Sequence, residues 1–165
     1  MKPNLTFSIE NVKDVVDDLM TLWDLHWKET EMYRNGQGFN MDVENYIKYN
    51  EVGFYILYTA RDNGKMVGNC GMYVCKSMHT QKLIATDDTI FMMKEYRKGF
   101  NGVRFLRFVQ QDLINRGVVE ITMTIKSDRV RKLYETDGYK LVAYQYSKPI
   151  EENYVRTEAA QSARL

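Results

Sequence analysis

Apolar and polar residues recur along this chain with two different periods, and the two periods divide it into strands and helices. Leu5–Ile9 reads as a short strand. Asn11 stands where a helix N-cap would. From there Val12, Val15, Val16, Leu19, Met20 and Trp23 recur at helical spacing, with Lys13, Asp14, Asp17 and Asp18 on the opposite side. That spacing predicts an amphipathic helix ending near Trp27. Lys28–Asn40 is polar, with Asn35-Gly36 and Gly38 as turn signals, and a second, shorter helix is expected over Asp42–Tyr49.

Gly53 stops that helix, and Phe54–Ala60 is an apolar and aromatic run suited to a buried strand. Asp62-Asn63-Gly64-Lys65 predicts a hairpin turn, because Asn-Gly accepts positive φ at low cost, and Met66–Val74 returns as the partner strand. Lys82–Met93 is a further strand, followed by a glycine-containing break at Tyr96–Gly102. Leu106, Val109 and Leu113, flanked by Phe105 and Ile114, mark a helix from Val103 to Arg116, with Gly117 as its stop. Val119, Ile121, Met123 and Ile125 alternate with Glu120, Thr122 and Thr124, the period of a strand. Ser127 or Asp128 caps a short helix carrying Val130, Leu133 and Tyr134, closed by Gly138, and Tyr139–Ser147 is a last strand. Pro149 opens a polar tail without period. The order predicts one α/β domain over 1–148, with a largely antiparallel first half, and a polar segment over 149–165.

Composition narrows the function classes. The 165 residues suffice for one domain with its own core, and 44% apolar with 27% charged residues is ordinary for a globular protein. Lys plus Arg total 23 against 22 Asp plus Glu, so no global charge points to nucleic acid or an anionic membrane. Cys70 and Cys75 lie in one segment with no second Cys or His pair at ligand spacing, which argues against zinc and reads as two buried thiols in a reducing compartment. Met1–Ile9 is unlike a signal peptide and no apolar run reaches the length of a membrane span, so the expected address is the cytoplasm.

The most informative stretch is Ile90–Val103. A strand enters a glycine-containing turn that opens a helix, whose first amides lack internal acceptors and carry the positive end of the helix dipole. Such a mouth holds a phosphate or diphosphate where no side chain blocks it. Gly99 and Gly102 give clearance, and Arg97 and Lys98 add charge at the rim. The plainer alternative is an ordinary strand-to-helix turn. It is neither a P-loop nor the GxGxxG of dinucleotide folds.

Arg97–Gly102 resembles the Gln/Arg-x-x-Gly-x-Gly/Ala turn of the GNAT superfamily, with Arg97 first, Gly102 last, and Phe100 where the family has glycine. Arg131-Lys132-Leu133-Tyr134-Glu135-Thr136-Asp137-Gly138-Tyr139 is similar to that family's Leu-Tyr-Glu-x-x-Gly-Phe/Tyr segment, and Asp62–Gly68 to its Gly-x-hydrophobic-Gly hairpin. The matches keep the family's order across residues 54–147. Ala85–Phe91, followed by Glu95-Tyr96-Arg97, resembles small bacteriophage-encoded members, which would put the protein in the host cytoplasm.

The resemblance implies a mixed sheet of about six to seven strands, splayed between the fourth and fifth and flanked by about four helices. It implies acetyl-coenzyme A as co-substrate, no metal, and transfer of the acetyl group directly to an amine. Arg97, Lys98, Gly99, Asn101, Gly102 and Val103 would hold the diphosphate, and the backbone of Ile90 and Met92 the pantetheine arm and thioester. Tyr134 would be the acid for the leaving thiolate, a role for which a phenol is chemically suited; the alternative is that it only packs its helix on the sheet. Asp88, or else Asp87, is the candidate base. Strand parity sets Asp88 with Ile90 and Met92, and Asp87 with Phe91. Glu120 is a further candidate. Trp27, Tyr33 and Phe39, with Tyr46 and Tyr49 nearby, fall where the family builds its acceptor pocket. His26 reads as packing and His79 as exposed.

Two rivals keep this fold. One is an interaction module that binds coenzyme A weakly because of Phe100. The other is a protein- or nucleic-acid-directed relative using a basic stripe of Arg97, Lys98, Arg104 and Arg107. Only about ten residues, Tyr139–Lys148, stand where the family has two final strands. The acceptor-side wall would then be shortened, or completed by a neighbouring subunit or by Pro149–Leu165.

Overall fold

The computed structural model describes residues 4–30 and 38–146. Its sheet has five strands in chain order: β1 (Leu5–Glu10), β2 (Tyr55–Asp62), β3 (Lys65–Lys76), β4 (Leu83–Met92) and β5 (Glu120–Thr122). The first four are antiparallel neighbours, and β5 joins β4 in parallel. A parallel neighbour needs a crossover, and α3 (Asn101–Asn115) supplies it. The other helices are α1 (Val16–Thr30), α2 (Val43–Glu51) and α4 (Asp128–Thr136).

Hydrophobic periodicity explains how the layers form. Phe105, Val109 and Leu113 of α3 bury against Tyr58, Val67, Cys70 and Met72 on one side of the sheet. Leu19, Leu22 and Trp23 of α1 bury against Tyr55, Leu57, Met66 and Phe91 in a second cluster. Each fully buried side chain of this size contributes roughly 1.5–3 kcal/mol. The hairpin between β2 and β3 turns at Asn63 (φ 49°) and Gly64 (φ 84°), the two positive-φ positions that its sequence predicts.

Several expectations need correction. Asn11 precedes a short 3-10 turn over Val12–Asp14 without capping it by its side chain, and α1 begins only at Val16. A side-chain cap does form at α2, where Asp42 accepts from the Asn45 amide at 3.1 Å. Cys75 is exposed near the end of β3, while Cys70 is buried. Among the described residues the sheet has five strands, not six to seven. Residues 139–146 carry no strand, and Leu141, Val142, Tyr144 and Tyr146 are exposed. A period-2 pattern becomes a strand only where a neighbour completes its ladder. The polar tail over 149–165 lies outside the described residues.

Candidate active site

The candidate site lies where β4 and β5 part. Their ladder has three register pairs, the last being Thr86 with Thr122, whereas β4 continues to Met92. On its other side β4 stays paired with β3, and Met93 N donates to Val67 O at 2.9 Å. Backbone groups in an antiparallel ladder face alternate sides, so the amides of Ile90 and Met92 face away from β3, into the space β5 has left. The Ile90 and Met92 amides are thereby presented to an extended ligand, whereas Met92 O already accepts from Arg97 Nε.

Asp87 sits at the fork. Its Oδ1 accepts from Thr124 N at 2.8 Å and from Thr124 Oγ1 at 3.0 Å, which holds the chain just beyond β5. Burial pushes this carboxyl above the usual range, against the opposing hydrogen bonds from Thr124.

Asp88 departs from simple alternation. Thr89 pairs with Gly71 and Asp87 with Met72, so Asp88 is a bulged residue with no cross-strand partner. Its Oδ2 accepts from the Tyr46 hydroxyl at 2.9 Å. Tyr46 packs on the cluster that contains Phe91, not on the one that contains Met92. The parity argument grouped Asp88 with Met92, and a bulge breaks that argument. Burial raises the Asp88 carboxyl, Tyr46 opposes the rise, and the neighbouring charge of Asp87 adds to it.

The glycine turn is open. Lys94–Tyr96 forms a 3-10 turn, Gly99 takes φ 53°, and Phe100, at the N-cap of α3, leaves 76% of its surface exposed. Asn101 N donates to Lys98 O, Arg104 N donates to Phe100 O, and the Asn101 side chain donates back to Tyr96 O. Between them the amides of Gly102 and Val103 stand in the first turn, where an α-helix has no internal acceptor. A Cβ on Gly102 would lie 3.6 Å from Leu133, and one on Gly99 would meet nothing within 4 Å.

Arg97 is engaged elsewhere. Its guanidinium bonds both carboxylate oxygens of Glu29 on α1, its Nε donates to Met92 O, and it lies 5.1 Å from the Phe91 ring centroid. The expected rim cation is thereby turned toward α1. Lys98 is exposed at the turn. Arg129, at the start of α4, donates to Arg97 O, a contact that no sequence pattern signalled.

Tyr134 is 2% exposed, and its hydroxyl has no hydrogen-bond partner among the described residues. Burial drives its phenol well above the ordinary value, with Asp87 and Cys70 adding to the effect. Its ring packs 5.3 Å from that of Tyr139.

On the acceptor side, Trp27 and Phe39 pair with ring centroids 6.2 Å apart, and Tyr33 lies outside the described residues. A hollow of about 240 Å³ is lined by Asp42, Asn45, Tyr46 and Tyr49 from α2 and its cap, and by Tyr73 from β3. The α2 members recur at helical spacing, a signal present in the sequence; Tyr73 needed the pairing. His26 is half-buried 5.7 Å from Phe91, and its imidazole is pushed down to about 4, chiefly by burial and then by Lys126. His79 is exposed, as expected. Among the described residues no cluster of His, Cys, Asp or Glu is arranged to hold a metal, and no helix is long and apolar enough to cross a membrane.

No protein-family model and no curated protein matches the chain. Solved structures do. An aminoglycoside acetyltransferase from an uncultured soil metagenomic sample matches with TM-score 0.73 at 15% identity, over 90% of this chain and 99% of its own. A ribosomal-protein-alanine N-acetyltransferase from Brucella melitensis matches with TM-score 0.68 at 13% identity, over 89% and 99%. A GNAT family acetyltransferase from Staphylococcus aureus matches with TM-score 0.61 at 18% identity, over 88% and 98%. The five-stranded mixed sheet and its four α-helices therefore make up the fold of the GNAT acetyltransferases.

Proposed function

We propose that the protein is an N-acetyltransferase that moves an acetyl group from acetyl-coenzyme A to an amine. The observation that carries this reading is the fork between β4 and β5. Outward-facing amides of Ile90 and Met92 line it, with the open mouth of α3 and the Tyr134 side chain on neighbouring elements. A buried hydroxyl without a partner costs about 1–3 kcal/mol, and a ligand that accepts its hydrogen bond relieves that cost. The open turn at Gly99 and Gly102 likewise suits a diphosphate.

Acetyl-coenzyme A supplies a thioester whose C–S bond breaks as the amine nitrogen bonds to the carbonyl carbon. The amides of Gly102 and Val103, with Lys98, Gly99 and Asn101, hold the diphosphate, and Arg97 fixes the turn from behind through Glu29. The Met92 amide donates to the thioester oxygen and Ile90 lies beside it. Asp88 takes the proton of the attacking amine, and a desolvated carboxylate is a stronger base than an exposed one. Tyr134, kept neutral by burial, donates to the departing sulfur. Asp87 holds the fork through Thr124. Trp27, Phe39 and the tyrosine-lined hollow receive the body of the acceptor. The neighbours include an aminoglycoside acetyltransferase and a ribosomal-protein-alanine N-acetyltransferase, which supports an amine acceptor.

The nucleic-acid reading loses ground on specific contacts. Arg97 is paired with Glu29 and Arg107 with Asp137, so two of the four cations in that stripe are internally engaged. Thermal unfolding with acetyl-coenzyme A, coenzyme A and duplex DNA, each separately, tests the proposal. Stabilisation by the first two alone supports it. Stabilisation by DNA alone overturns it.

A further inference from the structure

The Tyr46 hydroxyl donates to Asp88 Oδ2 at 2.9 Å, joining α2 to the carboxylate assigned above as the base. A bulged residue has no directly opposed neighbour, so the strand pairing does not hold its side chain in place. Gly71, beside the bulge on β3, offers no side chain, and the Tyr55 hydroxyl fills the space a Cβ there would need. The Tyr46 ring has little freedom of its own. Trp23 packs against it at 4.9 Å between centroids, and Tyr55 meets it edge-on at 5.0 Å. A donor on a fixed ring therefore fixes one oxygen of an otherwise loosely held carboxylate.

Among the described residues, the groups facing Asp88 are Asp87 on its own strand, Tyr46 from α2, Tyr55 from β2, and Cys70 and Tyr73 from β3. None of them is a cation. Tyr46 is the neighbour that favours the ionised form, and hydrogen bonds to a charged acceptor are the stronger class.

We infer that Tyr46 is the positioning residue of the base: its hydroxyl holds Oδ2 and leaves Oδ1 to take the amine proton. The inference rests on the reading of Asp88 as base. It also gives α2 a place in the chemistry. The same ring walls the hollow of about 240 Å³, so an acceptor seated there would pack on the ring that holds Asp88.

The test is a carbon-13 titration of the aspartate carboxyls in the full chain without ligands, with Asp88→Asn used to assign the signal. In Tyr46→Phe the Asp88 midpoint rises by about one pH unit, the size of one hydrogen bond to a charged group. A ring-fluorinated tyrosine at position 46, a stronger donor, lowers it, and this keeps the test decisive should Tyr46→Phe fold poorly. The acid limb of kcat/KM for amine acetylation moves in the same directions. A midpoint unchanged in both proteins overturns the inference whatever the activity. So does a moving midpoint with a fixed acid limb while Asp88→Asn is inactive. Full activity of Asp88→Asn removes the base assignment and the inference with it.

Discussion

Arg97 and Glu29, 68 residues apart, meet through two hydrogen bonds of 2.5 and 2.8 Å, so the turn that opens α3 is tied to α1. The pair is partly exposed, and breaking it costs at most about 1 kcal/mol. Glu29→Gln should lower stability by a similar small amount, Arg97→Gln by more because it also loses the bond to Met92 O and the contact with Phe91, and the double variant by no more than Arg97→Gln. In calorimetry Arg97→Gln should change acetyl-coenzyme A affinity by less than about threefold, below half the 1.4 kcal/mol of a tenfold effect. A loss of tenfold or more would mean that Arg97 leaves Glu29 to grip the diphosphate.

Tyr134→Phe removes a hydroxyl that is buried without a partner. Deleting such a group leaves the unliganded fold as stable as before, or up to about 1 kcal/mol more stable. Turnover should nevertheless fall by about tenfold or more, with coenzyme affinity changed far less. Urea unfolding beside steady-state kinetics reads both quantities. Unchanged turnover would leave Tyr134 a packing residue.

Gly102 separates room for the fold from room for the ligand. A methyl there makes only ordinary contact with Leu133, so Gly102→Ala should fold normally and keep coenzyme binding within a few-fold. Gly102→Trp covers the helix mouth and should abolish acetyl-coenzyme A binding in calorimetry while circular dichroism stays native. Retained affinity in that variant would move the diphosphate elsewhere.

His26 gives the fold an acid-labile element. Its folded value of about 4 lies below the ordinary 6.5, so on acidification the unfolded chain takes the proton first. The stability from a neutral buried His26 is complete above pH 6.5 and is lost as pH falls toward 4. At roughly 1.4 kcal/mol per pH unit the full loss is about 3 kcal/mol. Asp87 and Asp88 act with the opposite sign but are common to wild type and variant, so the comparison with His26→Gln isolates the histidine. Urea unfolding at pH 7 and at pH 4.5 should show a smaller acid loss in His26→Gln. Parallel losses would contradict the assignment.

Local chemistry was legible in the sequence wherever it acts locally. Asn63-Gly64 forms the turn it predicts, Ser127 caps α4 by accepting from Val130 N, and Gly117 ends α3 at φ 85°. Features that depend on pairing across the chain were not legible. Val119–Ile125 alternates throughout, yet only Glu120–Thr122 becomes strand, because β4 supplies a ladder for three residues. The bulge that redirects Asp88 exists only relative to Gly71 and Met72. The Glu29 partner that withdraws Arg97 from the turn is likewise invisible along the chain. The glycine turn before α3 and the short helix that bears Tyr134 were readable because turn glycines and helical spacing leave marks in sequence. Tyr46 was readable as an aromatic on a helix, but its bond to Asp88 was not.

Acetyl transfer at the β4–β5 fork is tested most directly by thiol release from acetyl-coenzyme A with a panel of peptides, aminoglycosides, polyamines and nucleosides, each set against an amine-free background. At least one amine should accelerate release and yield acetylated product mole for mole, with the acceleration lost in Asp88→Asn and in Gly102→Trp. Folded protein that gives only background release across the panel, or release that both variants leave intact, would contradict the account.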